Sequence, residues 1–182
     1  CFSFLSGQPV CIENLSNGED VKSTISVFQK CGLEYRRDQN KHFFSRSKIV
    51  NPIRKLDCGN SGTTARLLLG IMSGLKLEST IIGDESLSNR PMNRVINPLN
   101  KMGANIFSKN GYLPINIKPS EMVGIDYTLP ISSAQIKSAV IFAGLNSFGN
   151  TYINEKISSR NQKENLLKKN FKAIKIINNK SK

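Results

Sequence analysis

The sequence matches itself at an offset of about 70 residues, and a repeat of that length constrains the architecture before any single motif is read. Three segments follow one plan: "VCIENLSNGEDVKSTISVFQKCGLEY", "STIIGDESLSNRPMNRVINPLNKMGANI" and "NTYINEKISSRNQKENLLKKNFKAIKI". Each opens with a short β-branched strand, at 10–14, 79–83 and 150–154. A polar turn follows, then an amphipathic helix at 19–31, 90–102 and 160–171, then another apolar strand. The helices rest on apolar residues at helical spacing, such as Val21, Ile25 and Phe28, or Val95, Leu99 and Met102. Gly32 and Gly103 stand where a left-handed helix cap is expected. Pro91 fits the first turn of the second helix, where its missing N–H costs nothing.

The repeat extends upstream of these helices. "NSGTTARLLLGIMSGL" at 60–75 lines up with "ISSAQIKSAVIFAGLN" at 131–146, placing Ser61 on Ser132, Gly62 on Ser133, Thr64 on Gln135 and Arg66 on Lys137. In both, a turn of small residues opens an apolar helix with a cation about one turn in. "KHFFSRSKIVNPIRKLDCG" and "GYLPINIKPSEMVGIDYTLP" read as strand pairs punctuated by Pro and Asn. The expected fold is therefore α/β, built from β-α-β-α-β-β units at about 1–57, 58–127 and 128–182. By the same offset, the turn and cation of the first unit would fall about five residues before Cys1, so the sequence reads as part of a longer chain.

Composition narrows the function classes. A hydrophobic fraction of 38% suits a globular protein, and no apolar run reaches the ~18 residues of a membrane span. The start at Cys1 has no signal-peptide shape. The formal net charge of +13 admits nucleic acid, an anionic surface or small anions as ligands. Only the tail "KENLLKKNFKAIKIINNKSK" is densely basic, and it lacks the interleaved aromatics of a base-stacking platform. Small anions are the better match, with no nucleic acid and no membrane. Cys1, Cys11, Cys31 and Cys58 lack CxxC spacing, and His42 is the sole histidine, so no metal site is expected and the thiols read as reduced and buried.

A turn that exposes backbone at a helix start suits an anion. Gly59 and Gly62 let N–H groups approach it closely, Asn60 and Thr63 add hydrogen bonds, and Arg66 adds charge. Small residues at such a place can equally be plain caps. The stretch is neither a Walker loop nor G-x-G-x-x-G. The argument for function is recurrence, because Arg90, Lys137 and Arg160 accompany equivalent helix starts. An Arg there opposes the helix dipole, a cost that a nearby anion offsets.

"LDCGNSGTTARLLLG", "GDESLSNRPMNRVINPL", "ISSAQIKSAVIFAGLN" and "SSRNQKENLL", in this order and spacing, resemble the enolpyruvyl transferases, in particular the EPSP synthase family. The resemblance implies one lobe of a two-lobed enzyme, with three such units around a pseudo-threefold axis as an inside-out α/β barrel. It implies transfer of the enolpyruvyl group of phosphoenolpyruvate to the 5-hydroxyl of shikimate 3-phosphate, by addition then elimination, with no metal or organic cofactor. By matching motif, Asn60, Gly62, Thr63, Arg66, Arg90 and Gln135 would meet phosphoenolpyruvate. Ser133, Gln135, Ser159 and Arg160 would meet shikimate 3-phosphate. Asp20 would face the cleft, although an acid in a first helical turn has a sufficient reason in the dipole. Gln162 and Lys163 depart from the His and Thr the family often has there. The acid/base groups are expected on the other lobe and on the segment before Cys1, which leaves this chain half a site. The family further implies a cytoplasmic monomer at full length.

Three other readings compete. The related transferase that acts on a UDP-sugar carries a reactive Cys on a loop of this lobe, whereas "GDESLSNRPM" has none and Cys58 precedes a turn. A basic nucleic-acid module would show affinity falling steeply with salt. A truncated product that folds poorly would expose apolar surface.

Overall fold

Apart from Arg66, the run "ARLLLGIM" is apolar around its circumference, and a helix of that kind belongs in an interior. In the computed structural model, which describes residues 1–155, it forms the centre of α3 (Gly62–Gly74), with eleven of its thirteen residues buried. α6 (Ala134–Gly144) lies against it. The two helices approach so closely that a side chain on Gly70 would overlap the carbonyl of Ala139, and one on Gly74 would sit 2.9 Å from the α-carbon of Ala143.

Around these helices lie open sheets. β1 (Val10–Glu13), β2 (Leu33–Asp38) and β3 (Lys41–Arg46) form an antiparallel sheet in the order β1-β3-β2. β4 (Leu56–Asp57), β5 (Ser79–Ile82), β6 (Asn105–Lys109) and β7 (Tyr112–Lys118) form the order β4-β5-β7-β6. Its last three strands repeat the first sheet's order, with Ile106 opposite Ile117. β4 pairs parallel to β5, and β8 (Asp126–Leu129) pairs parallel to β9 (Tyr152–Glu155). Each parallel pair encloses one buried helix, α3 or α6, as the crossover between parallel strands requires. β7 alternates strictly, burying Leu113, Ile115 and Ile117 and exposing the residues between. Helices are thus inside and solvated sheets outside, consistent with the α/β expectation, and no sheet closes into a barrel among the described residues.

The remaining helices are α1 (Phe2–Ser6), α2 (Glu19–Gln29), α4 (Glu85–Ser88) and α5 (Asn93–Lys101). α1 is absent from the sequence reading, because five residues carry too little period to register. Gly32 and Gly103 take positive φ, at 103° and 94°, as their cap positions demand. The helix expected at 90–102 is shorter, and Pro91 precedes its capping residue Met92 instead of entering the first turn. The separate helix α4 uses Asp84 as its cap. Among the described residues no helix is long and apolar enough to cross a membrane.

Of the thiols, Cys31 and Cys58 are buried, whereas Cys11 lies exposed on β1 and Cys1 is half-buried, which corrects the expectation that all are buried. All four are free. The helix expected at 160–171, and with it Ser159, Arg160, Gln162 and Lys163, lies outside the described residues.

Candidate functional site

The turn before α3 is built by its own polar atoms. Gly59 has φ 53°, donates its N–H to Asp57 Oδ1 at 2.9 Å and accepts the Asp84 N–H at 2.9 Å. Ser61 caps α3, its Oγ accepting the Thr64 N–H at 3.2 Å. The Ser61 and Thr64 hydroxyls pair at 2.8 Å, and the Thr64 hydroxyl meets that of Thr24 at 2.7 Å, which ties the turn to α2. The Ala65 N–H goes to the Ser61 carbonyl. The N–H groups of Gly62 and Thr63 are left without an acceptor among the described residues, two donors side by side at the positive end of a buried helix.

Two guanidinium groups flank these donors. A Cβ on Gly62 would lie 2.7 Å from Arg66 Nη1 and 3.5 Å from Arg90 Nη1, so the space beside the Gly62 α-carbon belongs to the arginines. No carboxylate stands within ion-pair distance of either one among the described residues. Arg66 is half-buried, and burial first, then the charges of Arg90 and Arg94, hold its guanidinium below its ordinary pKa. Unpaired like charges gathered at a helix start are favourable when an anion joins them.

Neutral side chains hold this cluster in place. Arg90 Nη2 donates to Asn60 Oδ1 at 2.9 Å and to Ser86 Oγ at 3.2 Å, while Asn60 Nδ2 donates to Asp84 Oδ2 at 2.8 Å. The Leu87 N–H first, then the Asn60 amide, hold the Asp84 carboxyl below its ordinary pKa. Arg66 Nη1 donates to the Gly62 carbonyl at 3.1 Å and to Gln135 Oε1 at 3.3 Å. Gln135 Nε2 donates to Thr63 Oγ1 at 2.9 Å.

The structure therefore gathers Asn60, Gly62, Thr63, Arg66, Arg90 and Gln135 as two hydrogen-bonded sets, Asn60 with Arg90 and Gly62 with Arg66, Gln135 and Thr63, which meet beside the Gly62 α-carbon. Ser133 is two residues from Gln135, but its hydroxyl caps α6 by accepting the Ile136 N–H at 3.4 Å. Asp20 stands in the first turn of α2 and lines a largely apolar cavity of about 310 Å³ that also reaches Phe28, Thr63 and Thr64.

Three expectations are corrected. Lys137 does not join the arginines; it is 4% exposed and its Nζ donates to Glu155 Oε2 at 2.8 Å. The capping residues are Ser61 and Ser133, one position out of step with the pairing read from sequence, so Arg66 is the fifth residue after its cap and Lys137 the fourth. One helical residue turns a side chain by about 100°. Arg90 follows α4, its N–H donating to the Leu87 carbonyl at 3.0 Å. A cation there agrees with the dipole, so its position alone does not call for an anion. Sequence reasoning missed Asp84, Ser86 and Arg94. The signal for Asp84 was present, since an Asp before a short apolar-containing run is a cap.

A family model described as EPSP synthase (3-phosphoshikimate 1-carboxyvinyltransferase) matches residues 2–182. A 3-phosphoshikimate 1-carboxyvinyltransferase of Lactococcus lactis subsp. cremoris is 45% identical over 172 residues, and one of Oceanobacillus iheyensis is 41% identical over 171 residues. Each alignment covers 91% of this chain and 40% of the relative. Among solved structures, an EPSP synthase from Acinetobacter baumannii superposes with a TM-score of 0.85 at 33% identity, covering 91% of this chain and 40% of that one. The chain thus spans about 40% of the length of the relatives it matches.

Proposed function

The chain belongs to the EPSP synthase family, and from that premise we propose that it forms one side of an enolpyruvyl-transfer site whose substrates are phosphoenolpyruvate and shikimate 3-phosphate. The observation that carries this reading is the pairing of two N–H groups, on Gly62 and Thr63, with two guanidinium groups, the former without an acceptor and the latter without a carboxylate partner among the described residues. Phosphoenolpyruvate would occupy that place, its anionic groups shared between Arg66, Arg90 and the two N–H donors. Gln135 would touch both substrates, and Ser133, Ser159 and Arg160 would receive shikimate 3-phosphate, for which the Ser133 hydroxyl would have to serve cap and ligand together.

In the proposed reaction the 5-hydroxyl oxygen bonds to C2 of phosphoenolpyruvate, C3 takes a proton and the hydroxyl loses its own. The second step returns the proton from C3, breaks the bond from C2 to the phosphate oxygen and releases phosphate. Charge grows on that oxygen as the bond breaks, and preorganised cations and N–H dipoles lower the barrier there. In this reading the residues described above bind, orient and neutralise, and none of them is assigned the proton transfers.

The test is calorimetric titration of the folded chain with phosphoenolpyruvate, with shikimate 3-phosphate, and with shikimate as control. The expected result is binding that requires the phosphate, with Arg66→Ala or Arg90→Ala abolishing the phosphoenolpyruvate signal and Arg160→Ala that of shikimate 3-phosphate. Equal binding of shikimate, or variants that bind as the parent does, would overturn the reading. DNA affinity that falls steeply with salt would favour the nucleic-acid module instead.

A further inference from the structure

We propose that Asp84 is a positioning residue for Arg90 and acts through Asn60, an inference that rests on reading Arg90 as a phosphoenolpyruvate ligand. An ionised carboxylate can only accept hydrogen bonds and a guanidinium can only donate them, whereas a carboxamide has one end of each kind. Asn60 stands between the two. Its Nδ2 gives a hydrogen to Asp84 Oδ2 at 2.8 Å, and its Oδ1 takes one from Arg90 Nη2 at 2.9 Å. Asp84 thereby fixes which end of the amide faces Arg90.

Asp84 is itself well anchored. Its Oδ1 accepts the Leu87 N–H at 2.7 Å, and its own N–H donates to the Gly59 carbonyl at 2.9 Å, so the chain of contacts begins on backbone. At the far end, Ser86 Oγ accepts a second contact from Arg90 Nη2 at 3.2 Å. With Nη2 held, Nη1 is left beside Gly62, on the side of the Gly62 and Thr63 N–H donors. The neutral amide has a second effect. It keeps the carboxylate out of direct contact with the guanidinium, so Arg90 is oriented without being neutralised.

The discriminating variant is Asp84→Asn. It keeps an oxygen for the Leu87 cap but confronts Asn60 Nδ2 with an NH₂, so that Asn60 must lose the contact or turn its own NH₂ toward Arg90. Asp84→Ser keeps the cap and drops the contact. The first readout needs no ligand: the side-chain amide resonances of Asn60 and the guanidinium resonance of Arg90, by NMR of the whole chain. Shifted, averaged signals in both variants are expected. Unchanged signals would overturn the proposal, whatever the chain binds.

The second readout is phosphoenolpyruvate affinity in a double-mutant cycle with Asn60→Ala. The expected loss is about tenfold for Asp84→Asn in the parent and none in the Asn60→Ala background. An undiminished loss in that background would show that Asp84 does not act through Asn60, and would sink the idea. Should the parent chain bind no phosphoenolpyruvate, the functional reading fails by itself and the resonances still decide the relay.

Discussion

Gln135 donates to Thr63 across 2.9 Å, and the two residues hold the same place on their helices, second after the capping serine of α6 and of α3. Equivalent positions of two similar crossovers thus meet face to face. What holds them there is the contact of Gly70 and Gly74 with α6, one to three turns further along.

Gly70→Ala should destabilise the chain more than Gly74→Ala. The added methyl at Gly70 overlaps a backbone carbonyl, which cannot swing aside, whereas at Gly74 the nearest atoms are 2.9 to 3.1 Å away. Overpacking of this kind costs about 1–3 kcal/mol, against a gain of about 0.5–1 kcal/mol in helix propensity. Urea denaturation of both variants checks the order. A Gly70→Ala chain as stable as the parent would mean that the helices separate easily.

Asn60→Asp should weaken phosphoenolpyruvate binding by about tenfold or more. The new carboxylate would accept from Arg90 Nη2 in place of the amide oxygen and compete with the anion for the same charge. Titration calorimetry reads this directly. Tighter or unchanged binding would show that Arg90 does not face the ligand.

Lys137 and Glu155 make a buried pair, their side chains 6% and 11% exposed. Removing one partner takes this 2.8 Å charge-assisted contact away from the other in the interior. Lys137→Met alone should therefore cost about 3–5 kcal/mol, and Lys137→Met with Glu155→Leu distinctly less. Chemical unfolding of the single and double variants gives both numbers. A double variant worse than the single would contradict the argument.

Alkali should loosen the fold through two thiols. Burial, with Asp57 adding to it, pushes the Cys58 thiol up to about 12, and burial pushes Cys31 up to about 11, from an ordinary 9.0. In the unfolded chain both ionise near that ordinary value, so above it the unfolded state binds fewer protons than the folded one. Their contribution is complete below pH 9.0 and is lost as pH rises toward 11 and 12, at roughly 1.4 kcal/mol per unit for each thiol. Urea midpoints between pH 8 and 11 should fall, and less so in Cys58→Ala. Alkylation at pH 8 should reach exposed Cys11 well before either buried thiol.

The legible part of the molecule is the part where local chemistry decides. Small residues before an apolar run marked the turn and helix that became α3, and Val95 and Leu99 marked the body of α5. What escaped depends on distant partners or on a single step of register. Lys137 has Arg66's neighbourhood in sequence, yet one helical position turns it toward Glu155, on a strand that pairs with β8. Arg90 lies where the apolar period had not yet begun, so a helix drawn back to it absorbed the linker between α4 and α5. The Asp84–Asn60–Arg90 chain joins residues 24 and 30 apart in sequence, a spacing no local rule reports.

The closeness of α3 and α6 has a consequence for how such a pocket can vary. The gap between Thr63 and Gln135 is set by backbone resting on backbone at Gly70 and Ala139, both buried between the helices. A substitution there would move the two helix ends apart as a unit, leaving every ligand-facing side chain in place and changing the span between them. The sequence positions able to retune affinity therefore extend along an inner seam of small residues, where selection acts on fit without altering a single functional group.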